Sequence, residues 1–222
     1  MLRTPTFNDV LFILQATRWT IVLSVLAIAG GALLGAVVAV WRIAPFIALR
    51  ALARAYVQLV QATPLLMLIF LFYFGVGIVG LDVPPLIAAA GALVLYSGAF
   101  LGEIWQGCLR AVPRAQWEGA LALGLSWGRT LRLVVLPQAV RMSLPPTVGF
   151  LVQVIKGTSL ASIVGFMDVM RAAQIVNNAT FEPYLIFPLV GAIYFALCYP
   201  LSTLSRWLER RLNVRAEVGW SM

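Results

Sequence analysis

The sequence has no histidine, a single lysine (Lys156) and two cysteines, and only 11% of its residues are charged. Each shortage excludes something. Without histidine, the commonest general base and metal ligand is missing. Cys108 and Cys198 lie far apart and no CxxC pair exists, so neither a metal site nor a redox motif is supported. A Walker A loop needs Gly-x4-Gly-Lys-Ser/Thr, and the only lysine follows Ile155. The chain cannot hold ATP phosphates by that device. No internal inverted repeat, a mark of many secondary transporters, is visible either.

What is abundant is apolar surface. Of 222 residues, 62% are hydrophobic, and the mean hydropathy is +0.95. A soluble domain has roughly 45–50% apolar and about 25% charged residues. The composition excludes a soluble domain, a disordered tail and a nucleic-acid-binding module. It requires lipid as solvent, so the fold class is an all-α membrane protein, a single transmembrane domain over residues 1–222. The first apolar run is too long for the core of a cleavable signal peptide.

At about 1.5 Å per residue a span needs about 20 residues. Five segments qualify: residues 20–41, 56–79, 86–108, 144–165 and 184–204. Gly31 and Gly35 form a GxxxG in the first, the pattern of close helix packing, although small residues are common in any membrane helix. Asp82 and a Pro84-Pro85 turn make a tight hairpin of the second and third. Pro145, Pro146, Gly149 and Gly157 interrupt the fourth, and Pro188 and Pro200 are expected to kink the fifth. Before the first span, Phe7, Val10, Leu11 and Leu14 have amphipathic helical spacing. That predicts a helix lying in the membrane interface, or a plain extension of the span.

Charge sets the orientation. Twelve arginines fall on one side: Arg42, Arg50 and Arg54; Arg110, Arg114, Arg129, Arg132 and Arg141; Arg206, Arg210, Arg211 and Arg215. The other side has Arg3, Arg18 and Arg171, partly offset by Asp9, Asp82, Asp168 and Glu182. By the positive-inside rule the first side is cytoplasmic, which predicts an outside N-terminus and a cytoplasmic C-terminus. Trp19, Trp41, Tyr56 and Trp207 suit the aromatic belts.

The longest cytoplasmic segment, residues 111–141, is not loop-like. Ala115 to Leu123 favours helix, Gly124 suits a stop, and Ser126 is placed to cap a second short helix. Glu118 is expected early in the first helix, where a negative charge suits the dipole. Exposed apolar residues on such a helix call for a covering partner.

Glu118-Gly119-Ala120, then Gly124, then Val134, Leu136 and Pro137 resembles the EAA motif of ATP-binding-cassette importer permeases. That motif is Glu-Ala-Ala, three residues, Gly, nine residues, Ile, one residue, Leu-Pro, and every spacing fits. Gln61-Ala62-Thr63-Pro64-Leu65-Leu66 resembles the Arg-Gly-Thr-Pro-Leu-Leu signature of the polar amino acid branch. Glu103 to Gln116 resembles the run into the EAA loop, and Lys156-Gly157-Thr158-Ser159-Leu160 resembles a Lys-x-Thr-Ser-Leu segment. The likeness runs from about Thr17 to Arg211.

The resemblance implies a type I importer permease of the bacterial inner membrane. It implies a coupling helix at about residues 115–123 that docks on a cytosolic ATPase dimer. It also implies a second permease chain, the same or different, and a periplasmic or lipid-anchored solute-binding protein. ATP and Mg would be bound by the ATPase, and no cofactor by this chain. Trp117, Glu118, Gly119, Ala120, Leu121 and Gly124 would carry the coupling, with Trp117 and Leu121 as a docking face.

For the pathway, the candidates are Glu103, Gln153, Lys156, Thr158, Ser159 and Thr63. Lys156 would cost about 2.5–3.5 kcal/mol inside a span without a partner or water. It is therefore an anion-attracting group, an ion-pair partner of Glu103, or a snorkelling side chain. Gly157 is placed to break the helix and free carbonyls toward a cavity. Gln153, Thr158 and Ser159 equally suit hydrogen bonds between helices. Glu103 is a gating residue by resemblance and a partner of Arg110 or Arg114 by proximity. Thr63 and Pro64 suit a helix start.

Gln61-Ala62, Gln106 and Gly157 depart from the usual residues, which weakens any inference to one amino acid. A self-contained channel or secondary transporter is the alternative, but it leaves the EAA spacing unexplained. A membrane enzyme lacks an acid–base pair, and a scaffold subunit would tolerate neutralising Lys156.

Overall fold

The computed structural model describes residues 4–78, 80 and 82–212. Arg3, Arg215 and the Val79 end of the second expected span lie outside the described residues. Among the described residues, four helices are long and apolar enough to cross a membrane, and a bent helix pair passes the same test when its two arms are taken together.

The first helix, α1, is Phe7–Ile43. Its start is fixed by the Asp9 carboxylate, which accepts from the Thr6 N–H and the Thr6 hydroxyl, both at 2.8 Å. This is the reciprocal logic of a capping box. The expected interfacial helix is not separate: Phe7 to Leu14 continues straight into the first span. Ile13 and Ala16 are buried against Val169, Ala173 and Ile186, and this packing holds the early turns upright.

The second expected span also differs. An amphipathic helix, α2 (Ile47–Ala62), meets α3 (Leu65–Ile78) at 104°. Pro64 causes the break: it has no N–H to donate, and it holds Thr63 extended at φ −101°, ψ 127°. The apolar run from Tyr56 onward hides this corner. Pro64 stands at the start of α3, as the sequence predicts.

After the short connection, α4 (Pro85–Ala111) opens with Pro85 in its first turn. A nine-residue helix, α5 (Arg114–Ala122), follows. The fourth span, α6, runs Trp127–Val164, so it starts far before residue 144. Pro145 and Pro146 sit inside it without ending it. Ser205 donates to the Pro145 carbonyl at 2.8 Å, tying the last helix across this stretch. Gly157 does not break the helix either; its φ is −63°. The stop is Gly165, at φ +87°, after a closing 3-10 segment over Thr158–Val164. A helix the sequence reading missed, α7 (Val169–Thr180), precedes α8 (Pro183–Arg211), which carries Pro188 and Pro200 internally.

The α1–α4 packing is the most extensive in the molecule. Gly31 and Gly35 face Ser97, Gly98, Leu101 and Gly102 of α4. The GxxxG is thus a packing seam, met by a second pair, Gly98 and Gly102, whose missing side chains make room for Leu34 and Val38.

Candidate functional site

Two places gather the candidate residues. The first is α5. Trp117 and Ala120 turn inward, where Trp117 packs on a core of Leu109, Val112, Leu131 and Val135. Glu118, Gly119, Leu121 and Leu123 are exposed, Leu121 at 48% and Leu123 at 84%. Trp117 and Leu121 therefore do not share one free face: Trp117 anchors the helix and Leu121 is presented. The helix begins at Arg114, so Glu118 falls in the second turn rather than the first.

The end of α5 is built as expected. Gly124 has φ +79°, its N–H donates to the Leu121 carbonyl at 2.9 Å, and Leu125 N–H donates to Ala120 at 3.2 Å. These are the two bonds of a Schellman stop. Ser126 precedes the next helical turn, but its side chain makes no cap bond there.

The second place is a cleft of about 450 Å³ between α6 and α8. Lys156 and Arg206 line it with Tyr194, Phe195, Tyr199 and Ser202. Two cations beside three aromatic rings can hold an anionic group and an apolar or cationic body. Lys156 has no carboxylate partner among the described residues. Glu103 pairs with Arg42 at the end of α1, so the expected pairings of Glu103 with Lys156, Arg110 or Arg114 are not formed. Gln106 is buried, and with its amide oxygen turned toward Arg110 it accepts from that guanidinium Nε at 2.5 Å.

Around Lys156 the hydroxyls are spent locally. Thr158 donates to the Ile155 carbonyl and Ser159 to the Lys156 carbonyl, both at 2.7 Å. Both bonds stay within one helix, while Thr158 also meets the Tyr194 hydroxyl of the last helix, one of the expected contacts between helices. Gln153, one turn earlier, is exposed. Thr63 donates to the Leu59 carbonyl at 2.8 Å. It lies two residues before Leu65, whose Cδ2 would be 2.9 Å from a Cβ at Gly157. The Thr63-Pro64-Leu65 corner and the Lys156-Gly157-Thr158 segment thus meet, and Gly157 is small because Leu65 occupies the space.

A polar cluster behind the cleft escaped the sequence reading. Asp168 is fully buried and caps α7, accepting from the Arg171 N–H at 2.8 Å. The Tyr194 hydroxyl donates to it at 3.4 Å, and Thr20 accepts from the Val169 N–H at 3.2 Å. An aspartate just before an amphipathic stretch is a cap signal that would have found it.

Burial pushes the Asp168 carboxyl from 3.8 up to about 6, against the pull of the Arg171 and Met170 N–H groups. A raised carboxyl pKa means the fold holds its proton more tightly than the unfolded chain. Stability contributed by this group is greatest below about 3.8 and is lost as pH rises through about 6. The melting temperature of the purified chain is expected to fall over that interval. Asp168→Asn, which keeps the cap, is expected to flatten the profile. A level profile in the parent protein would refute the assignment.

The Arg42–Glu103 pair gives another test. The Arg42 side chain is only 14% exposed and that of Glu103 44%. Removing one partner of a buried pair costs about 3–5 kcal/mol, and less where one side is solvated. Glu103→Arg and Arg42→Glu are each expected to lower the yield of folded chain, and the exchanged double variant to recover part of it. Equal yields for all three would show that the pair does not matter.

Residues 31–214 match the family model described as "binding-protein-dependent transport system inner membrane component". The chain is 34% identical over 194 residues to a probable glutamine ABC transporter permease protein, GlnM, of Bacillus subtilis, covering 87% of this chain and 90% of that one. It is 32% identical to the L-cystine transport system permease protein TcyB of the same organism, covering 88% and 84%. Among solved structures, a chain of an amino acid ABC transporter with histidines superposes with a TM-score of 0.86 at 28% identity, over 94% of this chain and all of that one.

Proposed function

The chain belongs to the family of binding-protein-dependent transport system inner membrane components, and we propose that its pathway carries polar amino acids or closely related compounds into the cell. It is a permease subunit, a transport component. The observation that carries the substrate reading is the α6–α8 cleft, where Lys156 and Arg206 suit a carboxylate and Tyr194, Phe195 and Tyr199 suit the rest of the molecule. Relatives named for glutamine and cystine support the same class.

The Arg-rich end faces the cytoplasm, with the N-terminus outside. There α5 is the coupling helix. Glu118, Gly119, Leu121 and Leu123 form its exposed surface, and Gly124 fixes its end. A separate cytosolic ATPase dimer binds ATP and Mg and engages this surface. A second permease chain completes the pathway, and an external solute-binding protein delivers substrate. Closure of the ATPases draws the coupling helices together and turns the spans outward. Release inward follows hydrolysis. The two states must differ in affinity for substrate, because only that difference can drive the switch.

The test is extraction of the tagged chain from native membranes in mild detergent, with mass spectrometry of its companions. A Walker-motif ATPase in equal number is the expected result, and a second permease in the same complex would make the pathway a heterodimer. Gentle extraction with no ATPase would bring the self-contained channel or secondary transporter forward. Reconstituted with its companions, the Lys156→Met variant is expected to lose most uptake of the carried amino acid. Unchanged uptake would remove Lys156 from the pathway.

A further inference from the structure

We propose that the Arg-rich end of the molecule holds one anionic phospholipid, its head group in a basic pocket and one acyl chain in the apolar crevice beside it. The pocket is a cavity of about 290 Å³ where the ends of α1, α2, α4 and α5 converge. Arg42, Arg50, Arg110 and Arg114 line it, together with Trp117 and Trp127. Only Arg42 has a carboxylate partner among the described residues, Glu103. Arg50 donates to the Ala44 carbonyl at 3.3 Å, and Arg110 is met by the neutral Gln106. Three guanidiniums therefore surround one cavity without a countercharge from the protein.

A phosphodiester fits this shortage. Guanidinium forks bind phosphate oxygens in pairs, and basic pockets between spans at the membrane surface take acidic head groups. Tryptophans at the same level suit the head-group region.

The second observation is independent of charge. A crevice of about 310 Å³ runs between α1, α4 and α6, and Leu109 lines both it and the basic pocket. Its walls include Ala36, Val40, Trp105, Val140 and Leu144, and it is almost wholly apolar. Val40, Val140 and Leu144 are each at least 39% exposed on segments that span the membrane. A free anion or an acidic protein loop would use the pocket and leave this crevice without a role. A phospholipid uses both, in the order in which they lie.

The experiment is native mass spectrometry of the full chain and of its assembly with the ATPase, released from nanodiscs containing equal phosphatidylglycerol and phosphatidylethanolamine. Preferential retention of one phosphatidylglycerol is expected. The Arg50→Gln, Arg110→Gln double variant is expected to bind it about thirty-fold more weakly, two basic residues' worth. Ala36→Phe, which fills the crevice and leaves every charge in place, is expected to weaken it as well.

Several results would overturn the proposal. Equal retention of both lipids would remove the head-group recognition. Full competition by inorganic phosphate would make the pocket a free-anion site. Phosphatidylglycerol held by the lone chain and expelled from the assembly would assign the pocket to the ATPase contact. Unchanged binding in Ala36→Phe, with a parent-like melting temperature, would remove the acyl chain.

Discussion

Gly31→Ala is expected to lower the melting temperature and the yield of folded chain sharply, although it adds one methyl group. A Cβ at Gly31 would lie 2.3 Å from the Ser97 Cβ and 3.2 Å from the backbone at Ser97 and Gly98. Backbone atoms of a packed helix cannot rotate away as the end of a side chain can. The two helices must separate, and the contacts at Gly35, Gly98 and Gly102 loosen with them. Overpacking costs about 1–3 kcal/mol, occasionally more. A whole seam shifted at once belongs at the upper end, a large part of a marginal stability. The measurement is fluorescence-detected size exclusion and thermal melting of the tagged chain. Ser97→Gly in the same chain removes the nearest atom and is expected to restore part of the yield. Gly77→Ala, which meets nothing within 4 Å, is the control and is expected to be silent. A parent-like melt for Gly31→Ala would show that the seam opens freely.

Gly124→Val is expected to cost uptake rather than folding. The residue sits at φ +79° on the exposed end of α5, with open space around it. An L-residue in this conformation costs about 1–2 kcal/mol, and a β-branched one is an outlier there. That energy is small for the fold but is concentrated on the turn that presents Leu121 and Leu123. Relaxing it would turn those leucines out of the surface proposed to meet the ATPase. Uptake by the reconstituted assembly is expected to fall about tenfold or more, a factor that 1.4 kcal/mol accounts for. The amount of chain in the membrane should be unchanged, and Gly124→Asn, tolerant of this conformation, should retain more activity. If Gly124→Val transports normally, α5 is not the coupling element.

Gly124 was legible in the sequence because its backbone demand maps onto one residue type. The EAA-like spacing was legible for the same reason: helix, stop and second helix each leave a local mark. Gly31 and Gly35 announced a close contact but not its address, since nothing local to Gly98 and Gly102 says which helix they face. The same limit explains Glu103. Arg110 and Arg114 are its neighbours in sequence, yet the helix ends bring up Arg42 from 61 residues away. Hydropathy found the four long apolar helices and the apolar stretch of the bent pair because solvent preference is additive along a chain. It misplaced their edges because a helix can run past the lipid, as α1 does, or turn a corner within an apolar run, as α2 and α3 do at Pro64. The Lys156 cleft needed α8 beside α6, and Asp168 needed the unforeseen α7. Neither neighbour relation is written in periodicity.

The uneven packing of α8 has one more consequence. This helix lies against α6 and α7 and only touches α1, while α1 and α4 are locked along their glycines. It also carries two internal prolines, each deleting a backbone hydrogen bond and leaving a point of low bending stiffness. The molecule is therefore mechanically two-sided, a stiff keel of α1 and α4 and a compliant flap bearing Tyr194, Phe195 and Tyr199. Shape changes in the cleft are cheapest on the flap. The Tyr194, Phe195 and Tyr199 wall of the cleft can breathe while the keel stays in register with the bilayer.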